Sequence, residues 1–227
     1  MVAIMAVAAE AALYRLMTWL SPAYPVGAFS YSHGIEYAVG IGLIRDRSTL
    51  VDWIEHAVRH GAGLADAALL AAAWRGDDLD RVAMLADSWR GSAEMALEAG
   101  AQGAAFLATT RAAWPHPALD ALALRRRGEV ALPVAVGVAA AAHGVALDAT
   151  LTGFLHAFAG NLVSAGVRLT PLGQTDGQRA VAALESAVAD TARAARDTPL
   201  DEIGTASVMI DWCSIRHETQ YTRLFRS

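Results

Sequence analysis

Two histidines four residues apart, His56 and His60, are spaced for metal chemistry. On a helix, residues i and i+4 share a face. Both imidazoles could then meet one zinc or nickel ion, given a third ligand from elsewhere. The same spacing suits the polar edge of an amphipathic helix, so the pair is a weak metal candidate. His33, His143 and His156 are scattered and read as hydrogen-bonded packing residues. Glu94 and Glu98 repeat the i, i+4 spacing with carboxylates, and no basic residue follows four positions on. Like charges at that spacing weaken a helix slightly, which points to a partner surface that uses them. Asp77, Asp78 and Asp80 read as a solvated helix cap, and Arg125 to Arg127 as cations favoured at a helix C-terminus.

Other chemistries drop out. His217-Glu218 opens like a zinc-protease motif, but Tyr221 stands where the second His is needed. No Ser lies in a Gly-x-Ser-x-Gly elbow. The glycine pairs Gly40/Gly42 and Gly61/Gly63 lack the third glycine and the preceding strand of a dinucleotide site. All 18 basic residues are Arg. Without Lys there is no P-loop, Schiff base, pyridoxal-phosphate site or kinase fold. Cys213 is the only cysteine, which leaves no internal disulfide and no thiolate zinc cage. A net charge of -5 over 227 residues argues against nucleic acid as the main partner.

The elements that must position these residues read as helices. Roughly a fifth of the chain is Ala, the best helix former. Strand patterns are nearly absent, and no fixed-period repeat is visible. The pattern predicts an all-α, compact single-domain bundle of about ten helices. The helices are expected over 9–20, 32–42, 49–60 capped by Ser48, then to Arg75 with Gly76 after it. Others should follow from Asp77 or Asp78 to Trp89, from Ser92 to Ala113, from Pro117 to Gly128, and to Ala142 with Pro133 in the first turn. Asp148 should cap a helix to Leu169, Gln174 or Thr175 should open one to Arg196, and the last should run from Thr198-Pro199 to just before Arg216. Residues 216–227 read as a mobile tail. The N-terminus lacks the basic region of a secretory signal, and the apolar run Ala131 to Leu147 is too weak for a membrane span. A cytoplasmic protein without membrane contact is expected.

Two segments fit no bland account. SPAYPVGAFSYSHGIE, residues 21–36, is too apolar for an ordinary surface loop. It is either a packing clasp or a contact surface, with Pro25, Gly27, Phe29, Ser30, His33, Gly34 and Glu36 its candidate residues. The C-terminus carries Leu224-Phe225 between Arg223 and Arg226. Arg and aromatic residues anchor protein interfaces. The tail therefore reads either as a segment that orders on a partner or as one that tucks Phe225 onto its own domain.

These two segments, together with NLVSAGVRLTPLGQTDGQ at 161–178, resemble the urease accessory protein UreF family. The matching pieces occur in order over the whole chain, and RHETQYTRLFRS is the most specific. One departure falls at Ser92 to Gly103, where the family usually has a Glu/Arg-rich run and this chain has Glu94, Glu98, Gln102 and Gly103. The resemblance implies an all-α homodimer without catalysis, residues 1–215 forming the domain and 216–227 a partner-binding tail. It implies an adaptor that bridges a UreD/UreH-type scaffold and a UreG-type GTPase while nickel is loaded into apo-urease. Nickel and GTP are handled by the complex, and this chain alone binds no cofactor. By carry-over, Arg216, His217, Glu218, Tyr221, Arg223, Leu224, Phe225 and Arg226 face the scaffold. Arg168, Pro171, Gly173, Gln174, Gly177 and Gln178 face the GTPase. Leu155, His156, Ala159 and Leu162 form the dimer face. The alternatives are a regulator that activates or gates the GTPase, with Arg168 as an arginine finger, and a metal-binding protein built on His56 and His60.

Overall fold

The computed structural model describes residues 2–227, with side chains from residue 9 onward. Among these it has twelve α-helices and no strand. In chain order they are α1 (Val2–Trp19), α2 (Ile35–Gly40), α3 (Arg47–His60), α4 (Ala62–Arg75), α5 (Leu79–Ser88) and α6 (Ala93–Ala113). Then come α7 (Pro117–Arg126), α8 (Leu132–Ala142), α9 (Leu147–Leu169), α10 (Gln174–Ala183), α11 (Glu185–Asp197) and α12 (Val208–His217).

α4 is the axis. Ala65 and every residue from Ala67 to Ala73 are buried, because α3, α5, α8, α9 and α11 pack around it. Small side chains make this possible. A Cβ added to Gly137 of α8 would lie 2.5 Å from the Leu70 carbonyl oxygen, so α4 and α8 meet at backbone distance. Leu69, Leu70, Phe106, Leu151 and Leu155 fill the space between the Ala faces. Each contributes about 1.5–3 kcal/mol by leaving water. One apolar cluster joins residues of α1 through α12. No helix of the residues searched is long and apolar enough to cross a membrane.

Most boundaries obey local signals. Asp78 caps α5 by accepting from Asp80 and Arg81 N–H, and Ser92 caps α6 by accepting from Met95 N–H. Gly76 ends α4 in the left-handed region. Five kinds of expectation need correction, the last covering three boundaries. α1 extends back to Val2, since nothing in that Ala- and Val-rich stretch breaks a helix. Asp46, not Ser48, caps α3 through a reciprocal pairing with Thr49. Asp148 lies inside the first turn of α9, and Ala146 is its cap. α2 begins only at Ile35, because His33 (φ 55°) and Gly34 (φ 77°) are both left-handed.

The fifth correction concerns the C-terminal third. The helix expected to run unbroken to Arg196 is two helices, parted at the fully buried Leu184. The kink lets α10 lie on α9 and α3 while α11 turns its small face onto α4 and α9. The last helix starts nine residues late because Ala206 is pinned to the end of α3, its N–H donating to the His60 carbonyl at 2.7 Å. α12 then continues through Arg216 and His217, so a boundary drawn after residue 215 cuts a helix.

Candidate partner-binding site

The tail expected to be mobile is docked. Phe225 is 4% exposed, and His217 and Ser227 are fully buried. The docking surface is the second half of the 21–36 segment together with the first two turns of α6. Gly34 allows the approach: a Cβ there would sit 2.9 Å from the Ser214 amide nitrogen of α12. His33, held left-handed, lies with its Nδ1 3.2 Å from Glu98 Oε2. Ser92, besides capping α6, meets the Ser214 hydroxyl at 2.6 Å. The Glu218 carboxylate accepts the Ala93 N–H at 2.8 Å, a second cap supplied from beyond α12.

Three carboxylates then hold the tail, Glu36 and Glu98 buried and Glu94 half-buried. Glu36 accepts the backbone N–H of Leu224 (2.6 Å) and of Phe225 (2.9 Å), and its Oε2 also meets His217 Nε2 at 3.1 Å. Glu94 takes His217 Nδ1 at 2.7 Å and Arg223 Nη1 at 2.6 Å. Glu98 accepts from the Ser227 hydroxyl and from Gln102 Nε2, both at 3.0 Å. Backbone bonds complete the dock: Arg226 N–H donates to Ser30 O, and Ser32 N–H to Ser227 O, each at 2.8 Å. The Ser32 hydroxyl also donates to that Ser227 oxygen. The Arg168 guanidinium lies 4.3 Å from the Phe225 ring centre and donates to the Phe29 carbonyl at 2.8 Å.

The Glu94/Glu98 pair thus finds its partners within its own chain. The absence of a basic residue at i+4 was the only sequence signal for this. Nothing local pointed to Ser32, Ser214 or Ser227. The 21–36 segment is both clasp and surface: Tyr31 to Glu36 are buried, while Pro25 and Phe29 are exposed. On the tail, His217 and Phe225 face inward; Arg216, Tyr221, Arg223, Leu224 and Arg226 face solvent, with Glu218 half-buried.

The other candidates fall apart from this cluster. Pro171, Gly173, Gln174 and Gln178 are exposed near the end of α9, but Gly177 is buried against Val167. Leu155, Ala159 and Leu162 are core residues of one protomer, so they cannot form a dimer face; of that set His156 alone is exposed. The His56 and His60 ring centres lie 5.1 Å apart with the rings tilted, but His56 donates Nε2–H to the Ala206 carbonyl. Among the described residues no group of three metal-binding side chains forms. Burial pushes the Cys213 thiol up to about 11, which keeps it an unreactive packing residue.

A model of the UreF family matches residues 44–185. The chain belongs to the UreF family. It is 53% identical to the urease accessory protein UreF of Granulibacter bethesdensis, over 96% of this chain and 95% of that relative. It is 52% identical to UreF of Rhodopseudomonas palustris strain BisB5, over 96% and 92%. UreF of Bradyrhizobium diazoefficiens is 51% identical over the same shares. The family match spans α4, α8 and α9 and takes in α6, while the other two parts of the docked cluster of this UreF-family chain, the 21–36 segment and the tail, lie outside its span.

Proposed function

We propose that this chain is a non-catalytic, cytoplasmic adaptor in urease maturation. It bridges a UreD/UreH-type scaffold and a UreG-type GTPase so that nickel reaches apo-urease, and it works as a homodimer. The supporting observation is the shape of the docked C-terminus. α12 and the tail turn Val208, Met209, Trp212, Ile215, Tyr221 and Leu224 outward, flanked by Arg216, Arg223 and Arg226. An apolar strip with arginines beside it has the composition of a protein interface. The scaffold is assigned to this strip, and the GTPase to the exposed end of α9 around Arg168, Pro171 and Gln174.

The decisive experiment is co-purification with the scaffold after deletion of residues 218–227. Capture should be lost while far-ultraviolet circular dichroism keeps its helical signal. Capture at the wild-type level would overturn the assignment. Sedimentation at micromolar concentration tests the homodimer, and a monomer there would remove it.

A further inference from the structure

We propose that the C-terminal segment is held by a proton-loaded clamp: His217 must donate from both ring nitrogens, and His33 must keep its positive charge beside Glu98, for residues 218–227 to stay docked. The tail therefore releases as pH rises while the helical body stays folded.

The first observation is at His217. Its ring is fully buried, with Glu94 at Nδ1 and Glu36 at Nε2, 2.7 and 3.1 Å away. A carboxylate only accepts, so a ring that satisfies both must donate from both nitrogens. A neutral imidazole would turn a lone pair onto one of the two carboxylates.

The second observation is a charge count. Three carboxylates, the buried Glu36 of α2 and Glu98 of α6 and the half-buried Glu94 of α6, are met by three cations: His217 of α12, His33 of the loop, and Arg223 of the tail. Around His33 stand also Asp66 of α4, paired with Arg90 at 2.9 Å, and Asp211 of α12. Glu218 is occupied by the Ala93 N–H, and Arg168 by Phe29 and Phe225. Neither replaces a lost imidazolium. Once both rings are neutral, Arg223 is left as the one facing cation for three carboxylates. Buried charge without a partner is strongly unfavourable.

His33 fixes the pH window. Burial alone would lower its pKa, but the adjoining Glu98 and, more distantly, Asp66 outweigh that and raise it above the ordinary 6.5. Its contribution is complete below about 6.5 and is lost as pH climbs through the raised value. Beyond the 3.2 Å ion pair of Nδ1 with Glu98, neither ring nitrogen has a hydrogen-bond partner, and the residue lines a cavity of about 140 Å³ together with Arg90 and Asp211. That is room for roughly four waters, the medium through which a buried ring exchanges its proton.

The test is amide hydrogen exchange of the intact protein between pH 6 and pH 9, corrected for the intrinsic rate of unstructured peptide. Protection of residues 218–227 should fall at least tenfold, with α4 and α8 unchanged. His217→Gln, which cannot gain charge, should show weak tail protection throughout this range, and His33→Gln should blunt the pH dependence. Tail protection that is flat across this range in the wild type would overturn the clamp, as would loss in step with α4. Nitrogen-15 spectra give an answer that needs no variant: in the docked state both His217 nitrogens should carry protons, and a neutral ring there would also overturn it. All readouts use the isolated chain, so they stand or fall separately from the adaptor reading.

Discussion

The seam between α4 and α8 and the seat of the C-terminal tail are both buried, yet they are built oppositely. At the first, Ala67 to Ala73 of α4 and Val134, Ala135, Val136, Gly137, Ala139 and Ala140 of α8 are all apolar or featureless and all buried. At the second, the tail is held by Glu36, Glu94 and Glu98, which pair with His217 and His33. Apolar contact is non-directional and indifferent to protons. A buried ionic network depends on every member being present and correctly charged. The body is therefore unconditional, whereas the tail has a condition attached.

The sharpest way to break this comparison is to attack the seam. Gly137→Leu would place side-chain atoms where the Leu70 carbonyl oxygen already sits, 2.5 Å from the new Cβ. Overpacking of that kind should cost about 3 kcal/mol or more. The midpoint of urea unfolding should drop for the whole molecule, tail included. A loss under about 1 kcal/mol would mean that the seam yields, and that its close approach is not what holds α4 in place.

Glu36→Ala strikes the other region. It leaves the Leu224 and Phe225 N–H groups and one His217 nitrogen without an acceptor. The cost should be about 2–3 kcal/mol and local. Trypsin should cut after Arg216 and Arg223 at least tenfold faster, while the unfolding midpoint of the body moves little. If the midpoint fell as far as in Gly137→Leu, the two regions would be one cooperative unit.

The same division decides what could be read from the chain alone. Ends set by one residue's own chemistry were legible: Gly76 past α4, Asp78 before α5, Ser92 before α6, Pro117 and Pro133 in first turns. The kink at Leu184 was not, because Ala180 to Ala183 contain no breaker and tertiary packing imposes the turn. The late start of α12 likewise follows from Ala206 bonding to a residue 146 positions earlier, His60. At the site, Glu94 and Glu98 announced that they needed a partner, but the partner was more than 120 residues away in sequence. Leu155, Ala159 and Leu162 failed as a dimer face because α9 is apolar on more than one side, and periodicity cannot say which side meets its own core.

Arg168 is the next probe. Its guanidinium spends its donors on Phe29 and Ser164 carbonyls and its face on Phe225, and burial lowers its pKa. Arg168→Ala should loosen the tail by about 1 kcal/mol, seen as a few-fold faster cleavage at Arg223. Partner GTP turnover should stay within threefold. A loss near a thousandfold would instead make this residue a true arginine finger.

The smallest effect sharpens the comparison most, because it holds distance constant. Arg111 and Asp120 meet at 2.7 Å, the same separation as His217 and Glu94. Arg111 and Asp120 are 41% and 61% exposed, whereas His217 and Glu94 are 0% and 12% exposed. In water-facing surroundings the attraction is screened and offset by side-chain ordering. Arg111→Ala should therefore change the unfolding midpoint by less than about 1 kcal/mol, and 0.5 M salt should erase even that. Burial, not proximity, would then be what makes the tail's ion pairs matter. A variant at Arg111 as damaging as Glu36→Ala would reverse that conclusion and put distance first.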